Sequence, residues 1–259
     1  MTNLIKILLL AGITCLTGCL DITQDLTVNA DGSGTLANTT DLSEVMNMAM
    51  QMAGDKAQEE KMHMDTVIRY RDMLDSASHI SPEEKNLLAP GVLHLVMNQD
   101  SQKYYLRSSV PFRKLADVVP LIQALQKGNS GKMMGTALKE LMKDRGDSTM
   151  TDTSRGEDAQ PGMPDNYLII TCKPGLISRV VDKQKLAALS QDESLAKLRE
   201  MGAMTGPLKT HFVIHLPRPA KKVEGKNVRL SGDRRQVTIS NELDDLYDDP
   251  SSFEFQVTY

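Results

Sequence analysis

The chain has 259 residues, with 30 Lys or Arg against 34 Asp or Glu, and a formal net charge of −4 at pH 7. This balance argues against a nucleic-acid-binding protein and against a protein that binds anionic membranes by charge alone. Aromatic residues make up 4% of the chain and Trp is absent, so stacking platforms for bases or sugars are scarce.

Residues 1–18 have the layout of a cleaved bacterial export signal. Lys6 precedes an apolar run, residues 7–13, that is too short to span a bilayer as a helix. The segment Leu16-Thr17-Gly18-Cys19 resembles the lipobox of bacterial lipoproteins, whose signal peptidase cuts before the cysteine. The resemblance implies a thioether-linked diacylglycerol on Cys19 and an acylated new N-terminus. Two or more acyl chains hold a protein stably on a membrane, so a permanent tether is predicted.

The residue after the lipidated cysteine bears on localisation. By analogy with enterobacterial sorting, Leu20 in place of Asp favours the outer membrane over retention at the inner membrane. We therefore expect a cell-envelope protein that is anchored to the membrane by the lipid on Cys19. It would lie on the periplasmic face of the outer membrane or at the cell surface. No nucleic-acid partner and no cofactor are expected.

Cys172 is the cysteine that remains unmodified in the predicted mature chain, since Cys15 leaves with the leader. It lies in a strand-like run, residues 167–172, and is predicted to be a buried small hydrophobe.

The mature chain divides by composition into three predicted segments. Residues 19–126 form an N-terminal α+β part, and residues 167–259 form a C-terminal α+β part expected to share one sheet with it. Residues 127–166 are a predicted flexible linker or insertion. Almost no apolar residue occurs in 144–166, so burial cannot offset the entropy of ordering this stretch.

In the N-terminal part, alternating apolar residues predict two hairpins: Asp21–Asn29 with Ser33–Thr39, and Val92–Met97 with Lys103–Val110. Asp31-Gly32 in the first hairpin predicts a type I′ turn, with positive φ at both central positions. Caps and helical spacing predict four helices: Asp41–Lys61, Asp65–Ser76, a short helix from the capping box of Ser81 and Glu84, and Leu115–Gln126, which Pro120 should kink or split.

In the C-terminal part, the stretch Lys209–Leu216 alternates, with His211, Val213 and His215 opposite Phe212, Ile214 and Leu216. This pattern predicts an antiparallel strand with one solvated face. The other predicted elements are the strand Tyr167–Lys173, helices Asp182–Leu189 and Glu193–Met204, the hairpin Asn227–Leu230 with Gln236–Ser240, and the strand Phe253–Tyr259. Hairpins separated by helices indicate an α+β fold with antiparallel sheet.

A Met/His-rich segment is one candidate metal site, because thioether and imidazole ligands select Cu(I). The candidate ligands are Met46, Met48, Met50, Met62, His63 and Met64. On a helix, however, residues two apart point to nearly opposite sides, so only Met46 with Met50 and Met48 with Met52 share a face. The alternatives are gap-filling core and an adaptable surface against lipid or a partner.

His211 and His215 are a second pair of candidate ligands. Four residues along a strand separate them by about 13 Å, so they cannot share a metal directly and are interpreted as an exposed-face pair. The acidic run at residues 244–250 lacks the glycine turn and ligand spacing of a calcium loop and is interpreted as a solvated loop. The Gly-x-Ser-x-Gly, His-Glu-x-x-His, Walker and dinucleotide motifs are absent from the sequence, so no catalytic residue is predicted.

Two stretches carry a family resemblance. The first is residues 25–34, soon after the lipidated cysteine, and the second comprises Leu216-Pro217 through Val223, Ser231-Gly232 and residues 236–239. Together they resemble the LppM-like family of bacterial lipoproteins, although the chain lacks that family's C-terminal membrane span and carries a long central insertion. The resemblance implies a compact α+β domain that binds lipid and has no established catalysis.

The expected function is therefore that of a lipid-anchored envelope protein, a non-catalytic binding or interaction module for lipid or another envelope component. One alternative is Cu(I) binding through the Met/His-rich segment. Another is an envelope hydrolase without a recognisable motif, which would need a pocket where a nucleophile and a base converge.

Overall fold

The computed structural model describes residues 20–53, 63–74, 77, 80–128 and 164–259. Within these residues it contains twelve strands and seven α-helices, so the predicted α+β class with antiparallel sheet is confirmed. The predicted leader, Cys19, Met62 and residues 129–163 of the predicted linker lie outside this part of the chain. None of the helices described is long and apolar enough to cross a membrane.

The strands have the following bounds: β1 Asp21–Val28, β2 Gly34–Asp41, β3 His63–Arg69, β4 Val92–Asn98, β5 Lys103–Phe112, β6 Leu168–Lys173, β7 Leu176–Val181, β8 Lys209–His215, β9 Lys222–Gly225, β10 Val228–Leu230, β11 Gln236–Glu242 and β12 Phe255–Thr258. The α-helices are α1 Ser43–Ala53, α2 Tyr70–Leu74, α3 Pro82–Leu88, α4 Val118–Gly128, α5 Lys183–Leu186, α6 Glu193–Thr205 and α7 Asp245–Asp248.

Eight strands form a large sheet in the order β10-β11-β8-β1-β2-β5-β4-β3, and four form a small sheet in the order β6-β7-β12-β9. Neighbouring strands are antiparallel except β1 and β8, which are parallel and pair from Asp21 with Lys209 to Thr27 with His215. The strands on either side of this pair come from opposite ends of the chain. The parallel pair therefore joins N-terminal and C-terminal strands into one sheet.

One face of the large sheet, called the inner face here, packs against the small sheet and against α4. Leu26, Leu36 and Ile214 of the large sheet share one buried cluster with Ile177 and Val257 of the small sheet. Alternation along each strand places polar residues on the opposite, outer face. Phe212 and Ile214 on β8 and Leu216 just after it are buried, whereas His211, Val213 and His215 are half-buried, so the predicted alternation is confirmed.

The predicted helix Asp65–Ser76 is wrong over its first half, which belongs to β3. Met64, Thr66 and Ile68 face inward and pair across to β4, and only Tyr70–Leu74 is helical. The loose helical spacing of Val67, Ile68 and Leu74 misled the prediction, because cross-strand pairing outweighs local propensity. The strands β7 and β9 have no counterpart in the prediction.

The first hairpin is confirmed, but its predicted type I′ turn is wrong. Val28 pairs with Gly34, so the loop spans residues 29–33, and of these residues Gly32 alone has a positive φ, +84°. The capping box of α3 is confirmed, since Ser81 Oγ accepts from the Glu84 amide at 3.2 Å and Glu84 Oε2 from the Ser81 amide at 2.9 Å. The predicted split of the helix near Pro120 is also confirmed, as a 3₁₀ turn at Leu115–Asp117 precedes α4.

Arg179 on β7 is a buried cation that the sequence patterns did not indicate. It is 4% exposed, and its Nε donates to the Phe253 carbonyl at 2.8 Å and its Nη2 to Asn241 Oδ1 at 3.3 Å. Its guanidinium carbon lies 5.3 to 5.7 Å from the ring centroids of Phe212, Phe253 and Phe255. Burial lowers the pKa of Arg179 to about 10, and the nearby Asp165 opposes that shift. The charge is kept because the surrounding carbonyl, amide, rings and carboxylate replace water.

Replacing Arg179 by Met should destabilise the protein by about 3–5 kcal/mol, because it leaves the Asp165 carboxyl and the carbonyl of Phe253 without their partner. The measurement is the urea midpoint followed by circular dichroism. The control Arg107→Met, at an exposed position of β5, should shift the free energy of unfolding by no more than about 0.5 kcal/mol. Equal midpoints for the two variants would contradict the structural role of Arg179.

Cys172 on β6 is 7% exposed and belongs to the same buried cluster as Leu26 and Ile177, so its predicted burial is confirmed, and burial raises the pKa of the thiol to about 12. Iodoacetamide reacts with the thiolate, so at a pH near 8.5 alkylation should be at least about 100-fold slower in the folded protein than in urea. Peptide mass spectrometry reports modification of Cys172 separately from Cys19. Equally fast alkylation in both conditions would show that this part of the core opens.

Candidate functional site

The outer face of the large sheet carries a row of polar side chains across β11, β8 and β1. Ser240 pairs directly with His211, and His211 pairs directly with Thr23. Directly paired residues of neighbouring strands point to the same face. The serine and the histidine, 29 residues apart in the chain, are therefore adjacent on one surface.

His211 links two other side chains through its two ring nitrogens. Its Nδ1 lies 2.8 Å from Ser240 Oγ, and its Nε2 lies 3.0 Å from Asp21 Oδ1. An ionised carboxylate can only accept hydrogen bonds, so in the neutral imidazole Nε2 carries the proton and donates to Asp21. Nδ1 is then the acceptor, and the Ser240 hydroxyl donates to it. The side chains of His211 and Asp21 are 29% and 43% exposed, so the chain of hydrogen bonds is open to solutes.

His215 has a comparable carboxylate but no comparable hydroxyl. Its Nε2 lies 3.5 Å from Asp25 Oδ2, and the residue opposite it on β11 is Gln236. The two histidines, predicted as an exposed-face pair, are thus held by different aspartates of β1. Among the residues the structure covers, no group of three His, Cys, Asp or Glu side chains is placed to hold a metal ion.

A cavity of about 530 Å³ lies beside Ser240. This volume falls within the range of about 300–1,000 Å³ typical of small-molecule sites. Its lining comprises Lys209, His211, Lys226, Asn227, Val228, Arg229, Ser240, Asn241, Glu242 and Asp245. Val228 is the one apolar residue in this lining, so the cavity is suited to a ligand that forms hydrogen bonds.

The charges of the lining are three cations and two carboxylates. Some of them are already engaged: Lys226 Nζ bonds to Asp249 Oδ2 at 2.8 Å, and Asp245 Oδ2 accepts from the amide of Glu242 at 2.9 Å. The hydrogen bond from Lys226 holds the pKa of Asp249 below its ordinary value. Arg229 is an exposed residue of β10 and adds a planar donor suited to carboxylate or phosphate.

The Met/His-rich candidates do not converge as far as the structure describes them. His63 is on the outer face, where its Nε2 lies 2.8 Å from Asp100 Oδ2, whereas Met64 is 8% exposed on the inner face among leucines. Met50 Sδ accepts a hydrogen bond from Tyr104 at 3.3 Å, and Met46 is half-buried on α1. The side chain of Met48 and all of Met62 lie outside the described residues. The placement of Met64 favours the core alternative, and Cu(I) binding stays a prediction.

Sequence reasoning did not identify Asp21 and Ser240 as candidate residues. Alternation placed His211 on a solvated face, but it could not indicate that β1 lies beside β8. The parallel pairing connects residues 188 positions apart, from Asp21 to Lys209, and neither strand carries a local signal for it. Asp21, His211 and Ser240 are far apart in the chain and form no sequence motif, so the signal lies in the fold and not in spacing along the chain.

The three comparisons with known proteins add no relative. No protein-family model, no curated protein and no solved structure matches the chain. Function is therefore inferred from the side chains of the site themselves.

Proposed function

We propose that the protein is a lipid-anchored protein of the bacterial envelope that acts as a binding module, tethered through Cys19 to the outer membrane. Its ligand site is the cavity between β8, β10 and β11. The ligand is the polar group of a lipid or of another envelope component. The observation that carries the proposal is the polar lining of this cavity, which includes three cationic side chains. The cavity lies at the end of the large sheet where β1 begins.

The cavity lies close to Leu20, the residue that follows the predicted tether. The Lys209 amide donates to the Leu20 carbonyl at 2.9 Å, and Leu20 directly follows Cys19. The predicted lipidation site is therefore followed in the chain by a residue that is hydrogen-bonded to the first residue of β8. A lipidated Cys19 would hold the cavity near the membrane surface, where polar head groups are concentrated.

The side chains of the cavity favour an acidic head group over an acyl chain. An acyl chain gains free energy by leaving water for an apolar lining, which this cavity lacks. A phosphate or carboxylate instead gains charge-assisted hydrogen bonds from guanidinium and ammonium groups. This reading agrees with the lipid binding implied by the resemblance to LppM-like lipoproteins.

The hydrolase alternative has one specific observation in its favour. It requires a nucleophile and a base that converge at a pocket, and Ser240 and His211 both line the cavity with their polar atoms 2.8 Å apart. Cu(I) binding has no such geometric support among the described residues. That alternative predicts Cu(I) retention that is lost when Met46, Met48, Met62 and Met64 are replaced by Leu.

Intact mass spectrometry of protein purified from envelopes tests the tether. The expected species begins at Cys19 and carries the mass of a diacylglycerol and an N-linked acyl chain. The variant Cys19→Ser should lack this mass and leave the membrane fraction, because no buried methylenes remain to hold it. An unmodified wild-type chain in the soluble fraction would overturn the proposed localisation.

Glycerol phosphate, a soluble analogue of an acidic head group, tests the cavity. Calorimetric titration of the protein should show binding that Arg229→Gln weakens by about tenfold or more, since one charge-assisted hydrogen bond contributes about 1.5–3 kcal/mol. The control Arg107→Gln, on β5 of the same outer face, should bind as the wild type does. Equal affinities of the two variants, or no heat of binding by the wild type, would contradict the site.

A further inference from the structure

We propose that Ser240 is the nucleophile of an acyl-transfer site that cleaves carboxylic esters, with His211 as its general base and Asp21 as the carboxylate that orients the imidazole. The proposed substrate is an ester whose acidic group occupies the cavity. This activity goes beyond the proposed binding function and departs from the expectation of a protein without catalysis.

The geometry satisfies the requirements of an activated serine. A nucleophile and its base need to lie within about 2.6–3.2 Å, with a third group holding the base. The distances here are 2.8 Å from Ser240 Oγ to His211 Nδ1 and 3.0 Å from His211 Nε2 to Asp21 Oδ1. Because Asp21 fixes the proton on Nε2, the nitrogen that faces the hydroxyl carries the free lone pair needed to accept its proton.

All three side chains are carried by strands and not by loops. Asp21 lies on β1, His211 on β8 and Ser240 on β11, which are consecutive neighbours in the large sheet. Residues on strands are held more precisely than residues on loops, which is a condition for catalysis by positioned groups.

The cavity leaves room for a substrate and provides groups to stabilise developing charge. The Ser240 amide donates to the Asn227 carbonyl at 3.2 Å, so Asn227 flanks Ser240 on the side away from His211. An Asn side-chain amide is a known type of oxyanion donor. Asn227 and Arg229 both line the cavity, so its lining includes one donor type suited to an oxyanion and one suited to an acidic substituent.

The reaction balances without any further reagent than water. Ser240 Oγ attacks the ester carbonyl carbon while its proton moves to His211 Nδ1, which forms a C–O bond and an oxyanion. The ester C–O bond then breaks, and the alcohol leaves with the proton from Nδ1. Water attacks the acyl-serine and gives its proton to Nδ1, after which Ser240 Oγ leaves with that proton. The products are one carboxylic acid and one alcohol.

The experiment uses the full chain and a fluorophosphonate, which modifies activated serines. We expect one equivalent of adduct on Ser240, located by peptide mass spectrometry and absent in Ser240→Ala. His211→Gln should slow labelling by about 100-fold or more, the usual contribution of a general base. His215→Gln is the matched control, since it removes an imidazole from the same strand and should leave the rate unchanged.

The pH dependence separates a base from a merely structural histidine. The dependence of the labelling rate on pH that the wild type shows should be kept in His215→Gln and lost in His211→Gln. The proposal would be overturned if the folded wild-type protein formed no adduct on Ser240. It would also be overturned if His211→Gln were labelled as fast as the wild type.

A second variant keeps the proposal testable if Ser240→Ala does not fold. Ser240→Cys retains a nucleophile of similar size beside His211 and should react with iodoacetamide at least about tenfold faster than Thr238→Cys on the same strand and face. Equal rates would show that His211 activates nothing at this position. The titration of wild type and Arg229→Gln with glycerol phosphate tests the binding proposal, and the labelling of Ser240 tests the esterase proposal, so the two proposals can fail separately.

Discussion

The parallel pairing of β1 with β8 is the contact on which the rest of the large sheet depends. The other neighbours in this sheet are antiparallel, and several of them are hairpins that local sequence suffices to specify. The β1–β8 pair alone connects the N-terminal strands with the C-terminal hairpin. Its register also determines which aspartate faces which histidine, because a slip by one residue would turn Asp21 and Asp25 to the inner face.

Hydrogen bonds on the inner face of β11 fix the position of the strand whose outer face carries Ser240. Asn241, which follows Ser240, is 3% exposed and donates to the carbonyl of Ser252 at 3.1 Å while it accepts from Arg179. These contacts tie β11 to β7 and to the 3₁₀ turn Pro250–Phe253. A buried polar network that is fully bonded rigidifies its surroundings. The strand that carries Ser240 is thereby fixed on its inner face by the same hydrogen bonds that accommodate the buried Arg179.

The sequence indicated the fold class and most of the hairpins, because apolar alternation and turn residues act over a few positions. The inward orientation of Phe212 and Ile214 and the burial of Cys172 follow from the same alternation. The prediction was wrong at residues 65–69, where pairing with β4 decides the structure. It also omitted β7, a short strand between Gly175 and α5. The candidate site was not predictable, since its three residues approach each other only through tertiary pairing. The lipid anchor stays a prediction, as Cys19 lies outside the described residues.

The span of chain between β1 and β8 has a consequence for how this protein folds as it is made. The β1–β2 hairpin can form once residues 21–41 are free to fold, whereas the edge of β1 that pairs with β8 has no partner until residues 209–215 follow. Contacts so distant in sequence slow folding, and an unpaired strand edge invites association with other chains. The strand nearest the predicted membrane tether, β1, therefore pairs early with β2 on one edge and late with β8 on the other. Folding of the large sheet is completed at this N-terminal strand.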